Sequence, residues 1–338
     1  MEAGVLSVDL QGASVHRLGG RLQVRDAEGV VRAEVPAFKL HAVWLFGGVE
    51  VTNAVLRLAL SEGPVLHFLT RQGRHRGCVG PEPGHRAALR VRQYRHLSRS
   101  RTRVPFAREI VRAKLKTQLE RVRAWSRNRK IGMADVIEFL LAALDLLDAE
   151  TTVDGLLGLE GTATRKYFEG YGRLFTFDFG FRGRNRRPPR DPVNALLSLG
   201  YTLLYTEVLS AVLLAGLDPY IGGLHAVKDG RCSLALDLME PFRWIVDELV
   251  LARMNLATFT TKDFRQDVDG AVFLQPAALP RFVAVFGERL AAPLALRSAG
   301  SPTVRQALRT VARGVRGVML HPERPLAEVL QPSAGAQP

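Results

Sequence analysis

The first 80 or so residues alternate short apolar runs with turn residues, a pattern typical of β-strands with one buried face. Residues 52–63 interrupt the pattern with helical spacing, where Thr52 is placed to begin a helix and Gly63 to end it. The predicted strands cover residues 5–10, 21–26, 29–35, 39–46, 65–70 and 74–79. We therefore predict a small β domain with one helix over residues 1–80.

The pattern changes after the segment PEPGH at 81–85, which we interpret as a linker. From Arg86 onward, apolar residues recur with the helical period of 3.6, and the tail 331–338 is expected to be disordered. The predicted helical segments are 86–130, 131–148, 153–175, 193–215, 235–257 and 302–320. The predicted fold class is thus α+β, with a small N-terminal β-sandwich-like domain followed by a larger all-α domain over 86–330.

The composition of the chain indicates how many domains it has and which classes of protein are disfavoured. The chain has 338 residues and is 47% hydrophobic, which favours two domains over one. Its two cysteines, Cys78 and Cys232, form no CxxC pair, so we expect no disulfide framework, no structural zinc and a cytoplasmic protein. The N-terminus lacks the pattern of a signal peptide. Residues 195–217 are long and apolar, but Glu207 at mid-bilayer would cost roughly 2.5–3.5 kcal/mol, so we expect a buried core helix rather than a membrane span.

The net charge of +14 is concentrated in one segment. Residues 86–130 contain 16 Lys and Arg but only two acids, Glu109 and Glu120, whereas the regions on either side are nearly neutral. A solvated helix usually mixes both signs, so this excess favours a polyanionic partner such as nucleic acid. Within the segment, Arg99, Arg103 and Arg112 are candidate nucleic-acid contacts.

A second basic segment, 182–191, precedes a predicted helix. Asp191 can cap that helix and Pro192 suits its first turn. Arginines on a loop beside a helix start favour phosphate binding, although a solvated loop is an equally good interpretation locally. The candidate contacts here are Arg184, Arg186, Arg187 and Asn194.

Four further residues can carry chemistry. Glu160 lies in the middle of an apolar helical stretch, and His225 lies on a glycine-flanked segment. Asp237 and Glu240 are three residues apart, so both fall on one helix face. Each has a plain alternative, namely an exposed helical Glu, a structural His, or solvent-facing acids. Together they make a set of carboxylates and one imidazole without thiolate, which suits Mg²⁺ or Mn²⁺ and phosphodiester chemistry.

Four sequence runs resemble one known family in order and spacing. They are EGTATRKYF (160–168), RRPPRDPVNALLSLGY (186–201), GLDPYIGGLH (216–225) and SLALDLMEPFR (233–243). They resemble the Cas1 family of CRISPR adaptation, the integrases that insert captured DNA fragments into the repeat array. Thr164 departs mildly, because the family usually has a small apolar residue there.

The resemblance implies a metal-dependent DNA endonuclease and integrase that joins DNA by 3′-hydroxyl transesterification. It implies metal ligation by Glu160, His225 and Glu240, with Asp237 as an accessory acid and Lys228 as a cation near the reacting phosphate. Which of Asp237 and Glu240 bonds the metal directly stays open. The implied partners are DNA, the small protein Cas2 and a second copy of the chain, through the N-terminal domain.

Two alternatives remain at this level. One is a non-catalytic nucleic-acid-binding scaffold with a degenerate site, which the presence of all three expected ligands disfavours. The other is a branched-DNA repair nuclease of the same fold, which would need neither Cas2 nor the repeat sequence.

Overall fold

The computed structural model describes residues 4–61, 63–81, 86–185, 188–294 and 301–330. Its first part is built of two four-stranded sheets and one helix. The elements are β1 (Gly4–Val8), β2 (Ser14–Leu18), β3 (Arg21–Arg25), β4 (Val31–Pro36), β5 (Leu40–Phe46), β6 (Glu50–Val51), α1 (Asn53–Ser61), β7 (Val65–Leu69) and β8 (His75–Val79). All six predicted strands are present, and β2 and the two-residue β6 are additional.

The two sheets pack through a shared apolar cluster. One sheet has the order β1-β5-β7-β8, with β5 parallel to both β1 and β7, and β7 antiparallel to β8. The other has the order β4-β3-β2-β6. Val15 and Leu22 from the second sheet share one core with Val43 and Leu45 of β5, and with Val55 of α1. The predicted sandwich-like arrangement of this part is therefore present.

Strand β5 joins this part to the helices, because it is buried along its whole length. Successive side chains of a strand point to opposite faces. Val43 and Leu45 belong to the core between the sheets, whereas Trp44 and Phe46 belong to the core of the helical part. Trp44 lies 6.0 Å from the ring of Phe286. This double burial explains the continuous apolar run of β5.

The rest of the chain is mainly helical, which confirms the α+β class. Its elements are α2 (Ala87–Ser98), α3 (Ser100–Arg129), α4 (Ala134–Leu146), α5 (Val153–Gly172), α6 (Pro192–Ala215), α7 (Ser233–Met239), α8 (Arg243–Asn255), β9 (Phe264–Gln266), β10 (Val272–Leu274), α9 (Leu279–Ala291), α10 (Val304–Leu320) and α11 (Leu326–Val329).

Two features correct the prediction of an all-α second part with one helix over 86–130. The basic helix is broken at Arg99, whose backbone is extended, and the Thr102 hydroxyl donates to the His96 carbonyl in the last turn of α2. A small hairpin, β9–β10, also interrupts the helices. Its turn closes through a hydrogen bond from the Gly270 N–H to the Asp267 carbonyl, with Gly270 at φ 74°.

Helix α6 forms the centre of the helical part. Among the described residues it is the one helix long and apolar enough to cross a membrane, and 78% of its most apolar window is buried inside the protein. As predicted, Asp191 caps it by accepting from the Asn194 N–H at 2.8 Å, and Pro192 is its first residue. Glu207 in its middle bonds to His41 at 2.9 Å and to Arg305 at 3.3 Å. The carboxylate that disfavours a membrane span therefore holds the β part to the helices.

The proposed domain boundaries stay predictions. The last strand of the first part ends at Val79 and the next helix begins at Ala87, so the change of architecture falls where the linker is expected. Residues 82–85 of that linker and the predicted tail 331–338 lie outside the described residues.

Candidate functional site

Three separate elements bring two carboxylates to one buried lysine. Lys114 on α3 is only 3% exposed, and its amine contacts Oε1 of Glu160 on α5. The same amine lies 2.7 Å from Oε2 of Glu240, which begins the short 3-10 turn between α7 and α8. Two predicted site residues that are 80 positions apart in sequence thus meet at one cation.

Glu240 is the more enclosed of the two carboxylates. Its Oε2 also accepts from Nε of Arg243 at 2.8 Å, and its side chain is 4% exposed. Burial would raise the pKa of Glu240, but the positive charges of Arg243 and Lys114 outweigh it and hold the pKa below the usual range. Glu240 is therefore an anion at every pH at which the protein would work.

Glu160 is more open. Its side chain is 18% exposed, and its Oε1 also accepts from the Thr164 hydroxyl at 2.9 Å. Since Thr164 is one helical turn further along α5, the two side chains lie on the same face of the helix. Thr164, the departure from the family pattern, therefore orients Glu160 in this protein.

His225 is held by Asp237, which is fully buried and not solvent-facing. Asp237 Oδ1 accepts from Nδ1 of His225 at 2.8 Å and from its backbone N–H at 2.9 Å. Oδ2 accepts from the N–H groups of Gly223 and Leu224 at 2.6 and 3.0 Å. With Nδ1 bonded, Nε2 of His225 faces Oε1 of Glu240 at 3.8 Å.

Gly222 permits this tight loop. A Cβ atom there would lie 2.6 Å from Oδ2 of Asp237 and 2.7 Å from the backbone of Ser233. The loop can therefore approach the N-terminus of α7 only with glycine at this position. Local sequence thus explains how the loop carries His225 to the helix that carries Asp237.

Two arginines, Arg243 and Arg184, lie close to the carboxylates. The guanidinium groups of Arg243 and Arg184 lie 4.8 and 5.4 Å from the ring centre of Tyr201. The Tyr201 hydroxyl donates to Asp247, which also accepts from Tyr167 at 2.9 Å. Burial raises the pKa of Asp247 to about 6. Arg184 brings the basic loop to the same pocket that Lys114 and Arg243 line.

The predicted nucleic-acid contacts fall into different environments. Arg99 is exposed at the junction of α2 and α3. Arg103 donates to the Gly223 carbonyl at 2.8 Å, and Arg112 is paired with Glu109 and Asp148. Asn194 is fully buried and bonds to Asp191, Gly183 and Arg184, so it organises the basic loop and has no surface for direct DNA contact. Arg186 and Arg187 lie outside the described residues.

Lys228 does not reach the carboxylates in the structure. It is exposed in a turn, where it forms a backbone bridge with Arg231. The Lys and Arg side chains in contact with Glu240 are instead Lys114 and Arg243, which the sequence motifs did not indicate. A signal for Lys114 was available, since it shares the apolar stripe of α3 with Ile110 and Leu115, both fully buried.

The donor set fits a divalent cation. Across the described ranges, no three His, Cys, Asp or Glu side chains lie close enough as placed to hold a metal ion, because the Lys114 amine lies between Glu160 and Glu240. However, Asp237 fixes Nδ1 of His225 and leaves Nε2 free, as carboxylates do for metal-bound histidines. Nε2 and the two Glu carboxylates are oxygen and nitrogen donors suited to Mg²⁺ or Mn²⁺.

The comparison with known proteins is consistent with this arrangement. The family described as CRISPR associated protein Cas1 matches residues 6–288. A CRISPR-associated endonuclease Cas1 of Thermus thermophilus is 38% identical over 289 residues, which is 85% of each chain. This chain belongs to the Cas1 family. A Cas1 endonuclease of Thermodesulfovibrio yellowstonii is 33% identical over 77% of this chain and 83% of its own.

Solved structures share the Cas1 fold. A Cas1 protein from Thermotoga maritima has a TM-score of 0.81 at 24% identity, covering 94% of this chain and 97% of its own. A casposase bound to an integration product has a TM-score of 0.84 at 22% identity, covering 96% and 92%. A chain of a Cas6-RT-Cas1–Cas2 complex has a TM-score of 0.80 at 25% identity, with 95% of this chain and 35% of that one covered. The arrangement of sheets and helices described above is therefore the Cas1 fold.

Proposed function

We propose that this Cas1 protein is a metal-dependent DNA endonuclease and integrase of CRISPR adaptation. The observation that carries the proposal is the meeting of Glu160 and Glu240 at Lys114, with Nε2 of the Asp237-oriented His225 3.8 Å from Oε1 of Glu240. The names of its relatives, CRISPR-associated endonucleases, support the same chemistry.

In this proposal Glu160, Glu240 and Nε2 of His225 hold the divalent ion, Mg²⁺ or Mn²⁺. When bound, the ion supplies charge to polarise the scissile phosphate and to activate the attacking hydroxyl. Asp237 does not bond the ion, because both of its oxygens already accept two hydrogen bonds each.

The chain's own cations then position the DNA. Arg243 holds Glu240 in place, and Arg184 carries the basic loop beside it. The 3′-hydroxyl of the incoming fragment attacks phosphorus in the repeat, forming a new phosphodiester and releasing a 3′-hydroxyl on the target strand. The attacking hydroxyl gives its proton to solvent, and the departing 3′-oxygen takes one from solvent. Arg99 and the exposed arginines near it bind the flanking phosphates.

The proposed partners follow from the relatives and from the surface. One structural neighbour is part of a complex with Cas2, and we propose that this chain also assembles with Cas2, as a homodimer in the cytoplasm. The β part exposes Phe38, Leu18 and Val30, which are 75, 58 and 52% accessible. We propose that the dimer contact includes these exposed apolar side chains.

A strand-transfer assay tests the proposal. It uses labelled duplex fragment, supercoiled plasmid with a repeat, and Cas2, in Mn²⁺, Mg²⁺ or EDTA. We expect metal-dependent joining that falls at least about a hundredfold in Glu160→Gln, equivalent to about 2.7 kcal/mol of transition-state stabilisation. Glu169→Gln, an exposed position on the same helix, is the matched control and should join normally.

Several other results would change the assignment. Full joining by Glu160→Gln, or equal joining in EDTA, would contradict a metal site here. Tight DNA binding without joining in any metal would favour the scaffold. Joining or cleavage of branched DNA without Cas2 or repeat sequence would favour the repair nuclease.

A further inference from the structure

Lys114 is the one cation in contact with both proposed metal-binding glutamates in the described part of the chain. It is 3% exposed and lies on the buried stripe of α3. Its amine contacts Oε1 of Glu160 and Oε2 of Glu240, from two different elements. A buried ammonium is stable only with anionic partners, so the three side chains depend on each other.

The charges in this cluster are already balanced without a metal. Lys114 and Arg243 carry two positive charges, and Glu160 and Glu240 carry two negative charges. Adding a divalent ion would raise the net charge of these four groups from zero to about +2. An unbalanced charge of that size is unfavourable in a mostly buried site, where the dielectric constant is low. Phosphate groups of DNA would restore the balance.

We propose that Lys114 is a built-in counterion that keeps Glu160 and Glu240 together without metal and competes with the divalent ion for them. As a result, the ion binds weakly to the free protein and tightly only when DNA phosphates are present. Because binding linkage is reciprocal, the ion strengthens DNA binding by the same factor. Lys114 is a positioning residue in this scheme, and the inference rests on the function proposed above.

Calorimetric titration of the full-length protein with Mn²⁺, with and without duplex DNA, tests the idea. We expect Lys114→Met to bind Mn²⁺ at least about tenfold more tightly than wild type without DNA, and to gain much less from adding DNA. Lys114→Arg keeps the positive charge and should not show this tighter Mn²⁺ binding. Lys116→Met, exposed two residues further along the same helix, is the matched control.

Lys114→Met could bind Mn²⁺ no more tightly than wild type, while the wild type still joins DNA in Mn²⁺. That result would refute the competition between Lys114 and the ion, but it would not contradict the proposed function. Joining that needs no metal in the wild type would instead overturn the proposed function. If Lys114→Met does not fold, chemical labelling of lysines in the wild type, followed by peptide mass spectrometry, tests whether the ion displaces Lys114. Mn²⁺ with DNA should increase labelling at Lys114, and unchanged protection would refute its displacement.

Discussion

Asp237 provides a sharp test of how this site is built. It is fully buried, and its two oxygens accept four hydrogen bonds, three from backbone N–H groups and one from the ring of His225. Asp237→Asn keeps the volume but replaces one oxygen by an NH₂ group, which cannot accept. Either the His225 N–H or the N–H groups of Gly223 and Leu224 are then left without a partner, and the remaining bonds lose their anionic acceptor.

The expected cost follows from these contacts. An unpaired buried donor costs about 1–3 kcal/mol, and bonds to a charged acceptor are roughly twice as strong as neutral ones. We therefore expect Asp237→Asn to lower the free energy of unfolding by about 3 kcal/mol, a large share of the roughly 5–15 kcal/mol typical of a folded domain. Joining should fall as well, because His225 loses the acceptor that fixes its Nδ1.

Urea unfolding followed by circular dichroism measures the first effect, and the strand-transfer assay measures the second. Asp229→Asn, at an exposed position in the same loop, is the control and should match wild type within about 0.5 kcal/mol. An Asp237→Asn protein with wild-type stability and joining would refute the argument. In that case the loop would be held by other contacts.

Three other predictions address packing, protonation and DNA. Gly200→Ala should cost about 1–3 kcal/mol, because a Cβ there lies 2.5 Å from Val246, whereas exposed Gly158→Ala should slightly stabilise α5, both by urea unfolding. Burial lowers the pKa of His67 to about 3, so only the unfolded chain gains its proton between pH 6.5 and 3. Wild type should therefore lose up to about 1.4 kcal/mol per pH unit relative to His67→Gln across that range, and parallel pH profiles would contradict this. Charge reversal at exposed Arg99 should weaken DNA binding and lower its salt slope by about 0.9 in a filter-binding titration, and an unchanged slope would exclude phosphate contact.

Periodicity predicted the elements whose burial is one-sided or complete. The apolar run of β5, the capped start of α6 and the apolar stripe of α5 all depend on neighbours in sequence, and the structure has each of them. The hairpin β9–β10 and helix α9 were missed. The strands of that hairpin have only three residues each, too few for a period to be read.

The site residues could be predicted only where they lie in a sequence motif that resembles a known family. Glu160 and Glu240 came from the resemblance, but their meeting at Lys114 depends on three elements packing together. No local pattern contains that information. The buried state of Asp237 was likewise invisible, since an acid three residues from another acid is as consistent with a solvent-facing helix.

The charge of the basic segment shows how packing divides one sequence signal into several roles. Counted together, its 16 cations indicate a DNA-binding surface. In the structure, half of them are bonded to other parts of the chain, namely Arg86, Arg92, Arg103, Arg108, Arg112, Lys114, Arg121 and Arg129. Arg103 holds the loop before His225, and Lys114 balances the carboxylates. Since cations that bind internal partners release few counterions, the salt dependence of DNA binding should be smaller than the net charge implies. The same segment thus contributes Arg103 and Lys114 to the candidate site, while its exposed arginines are the proposed DNA contacts.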